Sequence, residues 1–326
     1  MEIFQTLLLG KPAWMWAFFL LVVVLLVAFD LGVMHKKDQE IGVKDSLRLS
    51  AFYITAGLIF GGWVWHNLGA QSAMLYYTGF LIEKSLSLDN VFVISLVFTY
   101  FAIPRMYQHR VLFWGIIGVI VLRGVMIVLG ASIVENYEWT LYLFAAFLIF
   151  TGIKMLMPEK EGDDDLSDSK IIAFLKRHMR VTDKLHGQQF FVQAPHPKDA
   201  TRKVLWATPL FLTLCMVEIS DVIFAVDSVP AIFAITTDPF IVFTSNIFAI
   251  LGLRALYFAL AAILERFHYL KYALALVLVF IGAKVFLGDF VFGGKVPALL
   301  SLSVTFGILA VGTVYSMYKT RGQTGA

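Results

Sequence analysis

The stretch EKSLSLDNV, residues 83–91, places two acids six positions apart inside a long apolar segment. A second stretch, DVIFAVDSV at residues 221–229, repeats the arrangement: two acids six positions apart, a small polar residue, then valine. Ionisable residues are rare inside apolar segments of this length, and those that occur usually serve a function. The shared pattern therefore indicates an internal repeat with charged residues at equivalent places.

Two further matches follow these stretches in the same order. Leu-Arg at 122–123 matches Leu-Arg at 253–254, and LIFTGIK at 148–154 matches LVFIGAK at 278–284. The intervals between the matches are also nearly equal in the two halves. Three ordered matches at similar spacing indicate two copies of one structural unit.

Composition places the chain in a membrane. Of its 326 residues, 59% are hydrophobic and only 15% are charged, whereas soluble domains carry about a quarter charged residues. An all-α polytopic membrane protein is therefore expected. Nine stretches are long enough to cross about 30 Å of hydrocarbon: 12–34, 49–66, 72–100, 110–131, 139–157, 208–235, 239–263, 270–288 and 297–318.

The repeat divides these nine spans into units. Spans 3–5 form repeat 1 (72–157) and spans 6–8 form repeat 2 (208–288), with spans 1–2 in 1–71, a long loop at 158–207, and span 9 with the tail in 289–326. An odd number of spans separates equivalent helices, so the two copies have opposite orientations. Inverted repeats are typical of secondary transporters, whose substrate site lies near the bilayer midplane.

Lysine and arginine set the predicted orientation. They concentrate in the connections after spans 1, 3 and 7 and in the tail, while the alternate connections hold almost none. Because cytoplasmic loops carry the excess of basic residues, the amino terminus is predicted outside and the carboxyl terminus in the cytoplasm.

The long loop at 158–207 is then cytoplasmic. It begins with an acidic run at 159–165, which we interpret as a solvated linker, and continues with an amphipathic stretch at 170–180. That pattern predicts a short helix lying on the inner headgroups. Residues 190–192 and 204–206 are predicted to pair as a small hairpin. The loop is a candidate surface for protein partners.

Six carboxylates fall inside the predicted spans, each costing about 2.5–3.5 kcal/mol at the centre of a spanning helix. Lys84, Arg123 and Arg254 offset part of this charge and leave an excess of acid, which a bound cation would balance. Asp89 is expected toward the cytoplasm and Asp227 toward the outside. The candidate metal ligands are Asp30, Glu83, Asp89, Asn90, Glu218, Asp221 and Asp227.

Helical spacing adds neutral oxygens to these acids. Glu83, Ser87 and Asn90 share one helix face, as do Asp221 and Ser228. Carboxylates with neutral oxygen ligands suit hard cations, so magnesium, calcium and manganese are the candidate ions. The histidines lie in loops or at span ends, which argues against a zinc or copper pathway.

Some of these residues have alternative interpretations. Pro230 is expected to kink or break its helix and free the carbonyl of Val226 for an ion. The acids could instead only pair with Lys84, Arg123 and Arg254. Asp30, near the inner end of its span, could reach the interface, and Glu218 has no acidic counterpart in repeat 1.

EKSLSLDNVFV (83–93), VEISDVIFAVDSVPAIFAITTDPF (217–240) and SNIFAILGLRALYF (245–258) resemble the signatures of the TerC family, Alx type; FDLGV around Asp30 belongs to the same likeness. The resemblance implies a bacterial inner-membrane protein grouped with the LysE-like transporters. It further implies a role in manganese homeostasis, generally as an exporter. The family name derives from tellurite resistance, and a redox-related role has been suggested for the Alx type.

Two functions from different classes remain open at this point. The first is a secondary transporter that exports manganese, with proton exchange on the same carboxylates as an available driving reaction. The second is a membrane partner that binds metal without transporting it and docks proteins through the 158–207 loop. An intramembrane hydrolase is disfavoured because its Gly-Asp pair (288–289) lies at a span end. Neither an enzyme nor a nucleic-acid-binding protein is expected.

Overall fold

A computed structural model describes residues 6–34, 43–137, 139–157, 170–182, 184–196, 199–260, 270–291 and 296–320. Several side chains within these ranges, including those of Asp89 and Asp227, lie outside the description. In chain order the elements are β1 (Leu7–Leu8), β2 (Lys11–Pro12), α1 (Ala13–Met34), α2 (Val43–Tyr100), α3 (Arg105–Asn136), α4 (Thr140–Leu156), α5 (Lys170–His178), β3 (Phe191–His196), β4 (Asp199–Ala207), α6 (Pro209–Phe233), α7 (Pro239–Ile250), α8 (Leu253–Leu260), α9 (Leu270–Val291) and α10 (Ala298–Thr320).

Long apolar helices dominate this part of the chain. Six stretches are long and apolar enough to cross a membrane: Ala13–Asp30, Lys44–Ser87, Arg105–Asn136, Pro209–Phe233, Pro239–Ala259 and Ala298–Lys319. Their outer surfaces are also apolar, with Val311 69% and Val121 60% exposed. Such faces are stable against lipid, and the backbone polar groups are satisfied within each helix. The protein is a multi-pass, predominantly helical membrane protein.

Helix α2 consists of two arms that meet at Gly69. The φ of +86° at this residue is outside the helical range, and glycine adopts it without steric cost. The arms pack antiparallel, since the Tyr76 hydroxyl donates to the Gly57 carbonyl at 3.0 Å and that of Tyr77 to the Leu58 carbonyl at 2.9 Å. The arms correspond to the two spans predicted at 49–66 and 72–100.

A break divides the span that the sequence predicts as continuous over 239–263. Helix α7 ends at Ile250 and α8 begins at Leu253, with Gly252 between them at φ +83°. Only glycine fits here, because a β-carbon would lie 2.6 Å from the β-carbon of Tyr53. Lys84 Nζ donates to the Ala249 carbonyl at 3.0 Å and so satisfies one acceptor that the end of α7 leaves open. The predicted span is found over Pro239–Ala259, and it consists of two helices separated by this break.

Helix α6, by contrast, is not broken where a break was expected. It begins at Pro209 as predicted and continues through Pro230 to Phe233. Pro230 has no N–H, so the Val226 carbonyl still lacks its helical donor, but the chain continues as a helix. Of the two expectations at Pro230, a break is wrong, whereas a kink stays a prediction; the interruption lies in the next span.

Helices α4 and α9 pack at very close range through two glycines. A β-carbon at Gly152 would lie 2.7 Å from the carbonyl oxygen of Ala275, and one at Gly282 would lie 2.5 Å from that of Ala145. Glycine lets helix backbones approach this closely in membranes. The contact is reciprocal, since each helix supplies one glycine and one facing carbonyl.

The described part of the 158–207 loop contains the predicted helix and the predicted hairpin, whereas the location of the helix on the headgroups stays a prediction. Helix α5 buries Ile172, which packs with Leu175 in a cluster that includes Leu210 at the start of α6. Strands β3 and β4 form an antiparallel hairpin in which Phe191 faces Ala207 and the next pair continues the register. The acidic run at 159–165 lies outside the described residues.

Candidate functional site

Arg123, on α3 and only 1% exposed, joins the elements of the site. Its Nη1 donates to a carboxylate oxygen of Glu83 on α2, to Asn246 Oδ1 on α7 at 2.9 Å and to Ser228 Oγ on α6 at 3.2 Å. Its Nε and Nη2 donate to the two carboxylate oxygens of Asp221 at 3.2 and 3.0 Å. A single guanidinium thus connects four helices.

Helical spacing brings the two acidic motifs to this guanidinium. Glu83, Ser87 and Asn90 lie on one face of α2 and are at most 5% exposed, as their offsets of four and seven predict. The Ser87 hydroxyl donates to the Glu83 carbonyl at 2.8 Å. Asn90 Nδ2 lies 3.3 Å from Asp221 Oδ1. The two motifs, far apart in sequence, therefore meet directly.

The charges at this point do not balance. Asp221 binds Arg123 through two parallel N–H···O contacts, the geometry in which guanidinium and carboxylate pair most strongly. Glu83 pairs with the same guanidinium, so two carboxylates share one positive charge. The prediction that Arg123 is a charge partner is confirmed, and one formal negative charge remains over among these three groups.

Two oxygens beside Arg123 remain available. Glu83 Oε2 and Asn90 Oδ1 are buried and accept no hydrogen bond within the described protein. An unsatisfied buried acceptor costs about 1–3 kcal/mol, and such groups in native proteins call for an explanation, such as an ion. A cavity adjoins Asn90 and is lined also by Ser220, Asp221, Arg254 and apolar residues.

Arg254, the residue matching Arg123 in the second half of the sequence, lies in a different contact. Its Nη2 is 2.6 Å from Asp30 Oδ1 and 3.2 Å from the Asp30 carbonyl. The pair joins α1 to α8 just after the break at Gly252. Asp30 is 7% exposed and pairs with a base, which is the alternative considered for the acids. Its role as a metal ligand stays a prediction.

Glu218 faces α3 one turn before Asp221. A β-carbon at Gly118 would lie only 2.1–2.5 Å from its carboxylate atoms, so this glycine makes the space in which the carboxylate lies. Glu218 Oε2 accepts no hydrogen bond within the described protein. The Glu218 carboxylate on α6 therefore lies beside the site, against the face of α3 that carries Gly115 and Gly118. It makes no hydrogen bond with Arg123 within the described protein.

The described side chains do not by themselves form a metal cage. No three His, Cys, Asp or Glu side chains among them gather in a way that could hold an ion. Glu83 and Asp221 contribute two carboxylates, while the predicted ligands Asp89 and Asp227 have side chains outside the description. Their role as ligands stays a prediction.

Asn246 was missed by the sequence-based reasoning. It is fully buried, and its Oδ1 accepts a hydrogen bond from Arg123 Nη1. The available signal was a lone amide in the apolar run of span 7, one of the polar residues that, inside the bilayer, usually contact another helix.

Comparison with known proteins places the whole site within one family. Residues 68–324 match the protein family described as "Integral membrane protein TerC family". They include both acidic motifs and every described partner of Arg123. The chain belongs to the TerC family.

Relatives within the TerC family match almost end to end. A protein of Rickettsia bellii, named an uncharacterized membrane protein, is 47% identical over 93% of this chain and 97% of its own length. One of Myxococcus xanthus is 44% identical over 98% and 96%. An Escherichia coli protein, Alx, whose name proposes a membrane-bound redox modulator, is 44% identical over 93% of each chain. No solved structure matches significantly.

The extent of the TerC match separates the two ion-pair contacts. It begins at residue 68, beside the reversal at Gly69. Helix α1 and the first arm of α2 precede it, and Asp30 with them. The family description therefore covers the whole Arg123 cluster, whereas Asp30 lies before its first matched residue, in a part of the chain that the Myxococcus xanthus relative still matches.

Proposed function

We propose that this TerC protein exports a hard divalent cation, manganese first, across the bacterial inner membrane. The ion crosses through a carboxylate site between two inverted repeats of three helices, in a chain of nine spans with its amino terminus outside. One observation carries the proposal: Glu83 and Asp221, at matching positions of the two motifs, converge on one buried point. A membrane chain that buries both acids together has a use for their charge.

The helix contacts support the inverted repeats. Repeat 1 ends in α4 and repeat 2 in α9, and these two helices pack through Gly152 and Gly282. Both glycines occupy the same place in the matched stretches LIFTGIK and LVFIGAK. A two-fold axis in the membrane plane, the symmetry of inverted repeats, exchanges one glycine contact for the other.

The chemistry of the cluster supports a hard cation. Its acceptors are the carboxylates of Glu83 and Asp221 and the neutral oxygens of Asn90, Ser228 and Asn246. Oxygen-only surroundings favour magnesium, calcium and manganese over zinc or copper. Manganese is placed first because the sequence resembles a family with a role in manganese homeostasis. Asp89 and Asp227, each six residues further along its motif, would extend the path to either side.

Manganese flux into everted membrane vesicles tests the proposal. Asp221→Asn, Asp89→Asn and Asp227→Asn are compared with the intact protein at equal expression. Asp45→Asn is the matched control, since Asp45 is an exposed acid whose side chain is 69% accessible and pairs only with Arg48 within the described protein. We expect flux above empty vesicles, lost in the three site variants and retained in the control. Full flux in all three site variants would refute a midplane carboxylate site.

A second function is favoured by two observations. The Escherichia coli relative's name proposes a redox modulator, and the β3–β4 hairpin presents Phe191 and Leu205 at 44% and 60% exposure. A metal-binding partner protein acting through 158–207 would use that surface. A dithiol within the chain is excluded because Cys215 is its one cysteine. If the protein acts as a metal-binding partner, deleting the hairpin should impair it more than neutralising the buried acids does. If it is a transporter, neutralising the buried acids should impair it more.

A further inference from the structure

We infer that Arg123 is an internal substitute for the transported cation. Its guanidinium occupies the position between Glu83 and Asp221 that the ion takes during transport. The inference rests on the proposed function and adds a residue with a stated role to it. In this view the ion and the guanidinium bind the same acids in alternation.

The contacts of Arg123 are those that a hard cation would make. Within the described protein each acceptor of its N–H groups is an oxygen, and the two acids among the acceptors come from the two motifs. Hard cations select the same carboxylate, amide and hydroxyl oxygens. The unused Glu83 Oε2 and Asn90 Oδ1 lie in the same cluster, so an ion would find acceptors there that the flat guanidinium does not reach.

Charge makes the two occupants exclusive. Glu83 and Asp221 carry two formal negative charges, which a divalent cation neutralises and a guanidinium neutralises only by half. Both together would bring three positive charges onto two buried acids, and like charges at short range repel strongly where the dielectric is low. Ion binding therefore requires Arg123 to leave at least one of the acids.

That movement needs more space than this arrangement offers. The cavity beside the cluster, about 20 Å³, holds roughly one water molecule and is lined on α3 by Leu112, Gly115, Ile116 and Val119. These four residues carry no charge and lie before Arg123 on α3, the direction in which a helical side chain inclines. We therefore expect Arg123 to leave an acid only as the helices around the cavity separate during the transport cycle.

A tethered cation has a consequence for the transport cycle. A carrier that releases its ion must return with its buried acids exposed to hydrocarbon, which is costly when a buried charge lacks its partner. Arg123 supplies that partner, so the ion-free carrier returns without a second ion. The protein is then expected to carry out net transport, in addition to exchanging one ion for another.

Arg254 provides the matched control. It follows the same Leu-Arg pattern on the second half of the chain and is equally buried at 1%. Its ion pair is with Asp30, whereas Arg123 pairs with the two motif acids. Removing its charge perturbs a buried ion pair without removing the substitute cation.

The experiment uses the full chain in proteoliposomes at one pH on both sides. Net uptake of Mn²⁺ into vesicles without internal Mn²⁺ is compared with exchange of labelled Mn²⁺ against an internal pool, for the intact protein, Arg123→Gln, Arg123→Lys and Arg254→Gln. Binding of Mn²⁺ is followed separately by loss of the free-ion electron paramagnetic resonance signal. Size-exclusion chromatography reports whether each variant is folded.

We expect Arg123→Gln to bind Mn²⁺ more tightly and to keep exchange. Its net uptake should fall at least about tenfold, because leaving a buried charge without its partner costs more free energy than a tenfold change corresponds to. Arg123→Lys should retain net uptake, and Arg254→Gln should change uptake and exchange in parallel.

Equal loss of both rates in folded Arg123→Gln, or unchanged net uptake, would overturn the inference. If Arg123→Gln does not fold, Arg123→Lys decides: lost net uptake with intact exchange overturns it and retained net uptake supports it. No uptake, exchange or binding by the intact protein would mean that the proposed function itself fails.

Discussion

The glycine contact between α4 and α9 yields a prediction of defined size. A β-carbon added at Gly282 meets the Ala145 carbonyl oxygen at 2.5 Å, where ordinary contact begins near 3.4 Å. The obstructing atom belongs to a helix backbone and cannot rotate away, so the helices must separate by most of the 0.9 Å difference. Overpacking of this kind costs about 1–3 kcal/mol, and a backbone clash lies near the upper value.

Alanine also favours the helix, which partly offsets the clash. Replacing glycine in a helix interior gains about 1 kcal/mol, so Gly282→Ala should lower the free energy of unfolding by about 2 kcal/mol. Gly307→Ala on α10 is the control, because nothing lies within 4 Å of its β-carbon position. It should stabilise by up to about 1 kcal/mol, which leaves a difference of about 3 kcal/mol between the variants.

Unfolding by sodium dodecyl sulfate in mixed micelles, followed by circular dichroism, measures this difference. Gly152→Ala should match Gly282→Ala within error, because each glycine faces a carbonyl across the same helix pair. If Gly282→Ala were as stable as Gly307→Ala, the close crossing of α4 and α9 would be refuted. Unequal costs at the two glycines would refute the two-fold relation between the repeats.

Three further predictions follow from single contacts. Asp30→Asn and Arg254→Gln should each lower the free energy of unfolding by about 3–5 kcal/mol because each strands a buried charge; the double variant should recover most of the loss in the same titration, and additive losses would show that the pair is not formed. Gly118→Ala should displace the Glu218 carboxylate and reduce Mn²⁺ flux as much as Glu218→Gln does, measured in everted vesicles; flux equal to that of the intact protein would remove Glu218 from the path. A cysteine tag at the amino terminus should react with a membrane-impermeant reagent only from outside whole cells, and labelling restricted to everted vesicles would reverse the orientation.

Much of the fold could be predicted because one physical term dominates it. Long apolar runs must be helical in lipid, so the helix positions follow from hydropathy and from start signals such as Asp238-Pro239, where Asp238 Oδ1 accepts from the Phe240 N–H at 3.0 Å. The β3–β4 pairing followed from alternation around a proline-containing turn. These patterns are local, and each is settled within one segment of the chain.

The break at Gly252 could not be predicted in the same way. The run through 239–263 is uniformly apolar, and a single glycine is tolerated inside many membrane helices. The contact that requires a glycine at the break comes from Tyr53, on a helix about 200 residues earlier, and no local pattern shows it. Pro230 carried the stronger local signal and yet lies in an intact helix, because a missing N–H weakens a helix without ending it when its neighbours hold it.

The partners of the buried charges were likewise beyond a local pattern. The sequence indicated an excess of acid near Lys84, Arg123 and Arg254, but not which base each acid would meet. Lys84 adjoins Glu83 in sequence and donates to the end of α7, since neighbouring residues on a helix point in different directions. Pairing in the bilayer depends on helix crossings, which spacing along the chain does not give.

The two halves share a pattern but not a charge arrangement. Arg123 binds the acids of both motifs, whereas Arg254, at the matching place, binds Asp30 on a helix that belongs to neither copy. A second guanidinium on the same two carboxylates would neutralise them fully and leave no negative charge for a cation to balance. Asp30 on α1 instead holds the second arginine in an ion pair, so the excess negative charge at Glu83 and Asp221 is kept. Helix α1 therefore contributes to the charge balance of the site, although it belongs to neither matched stretch.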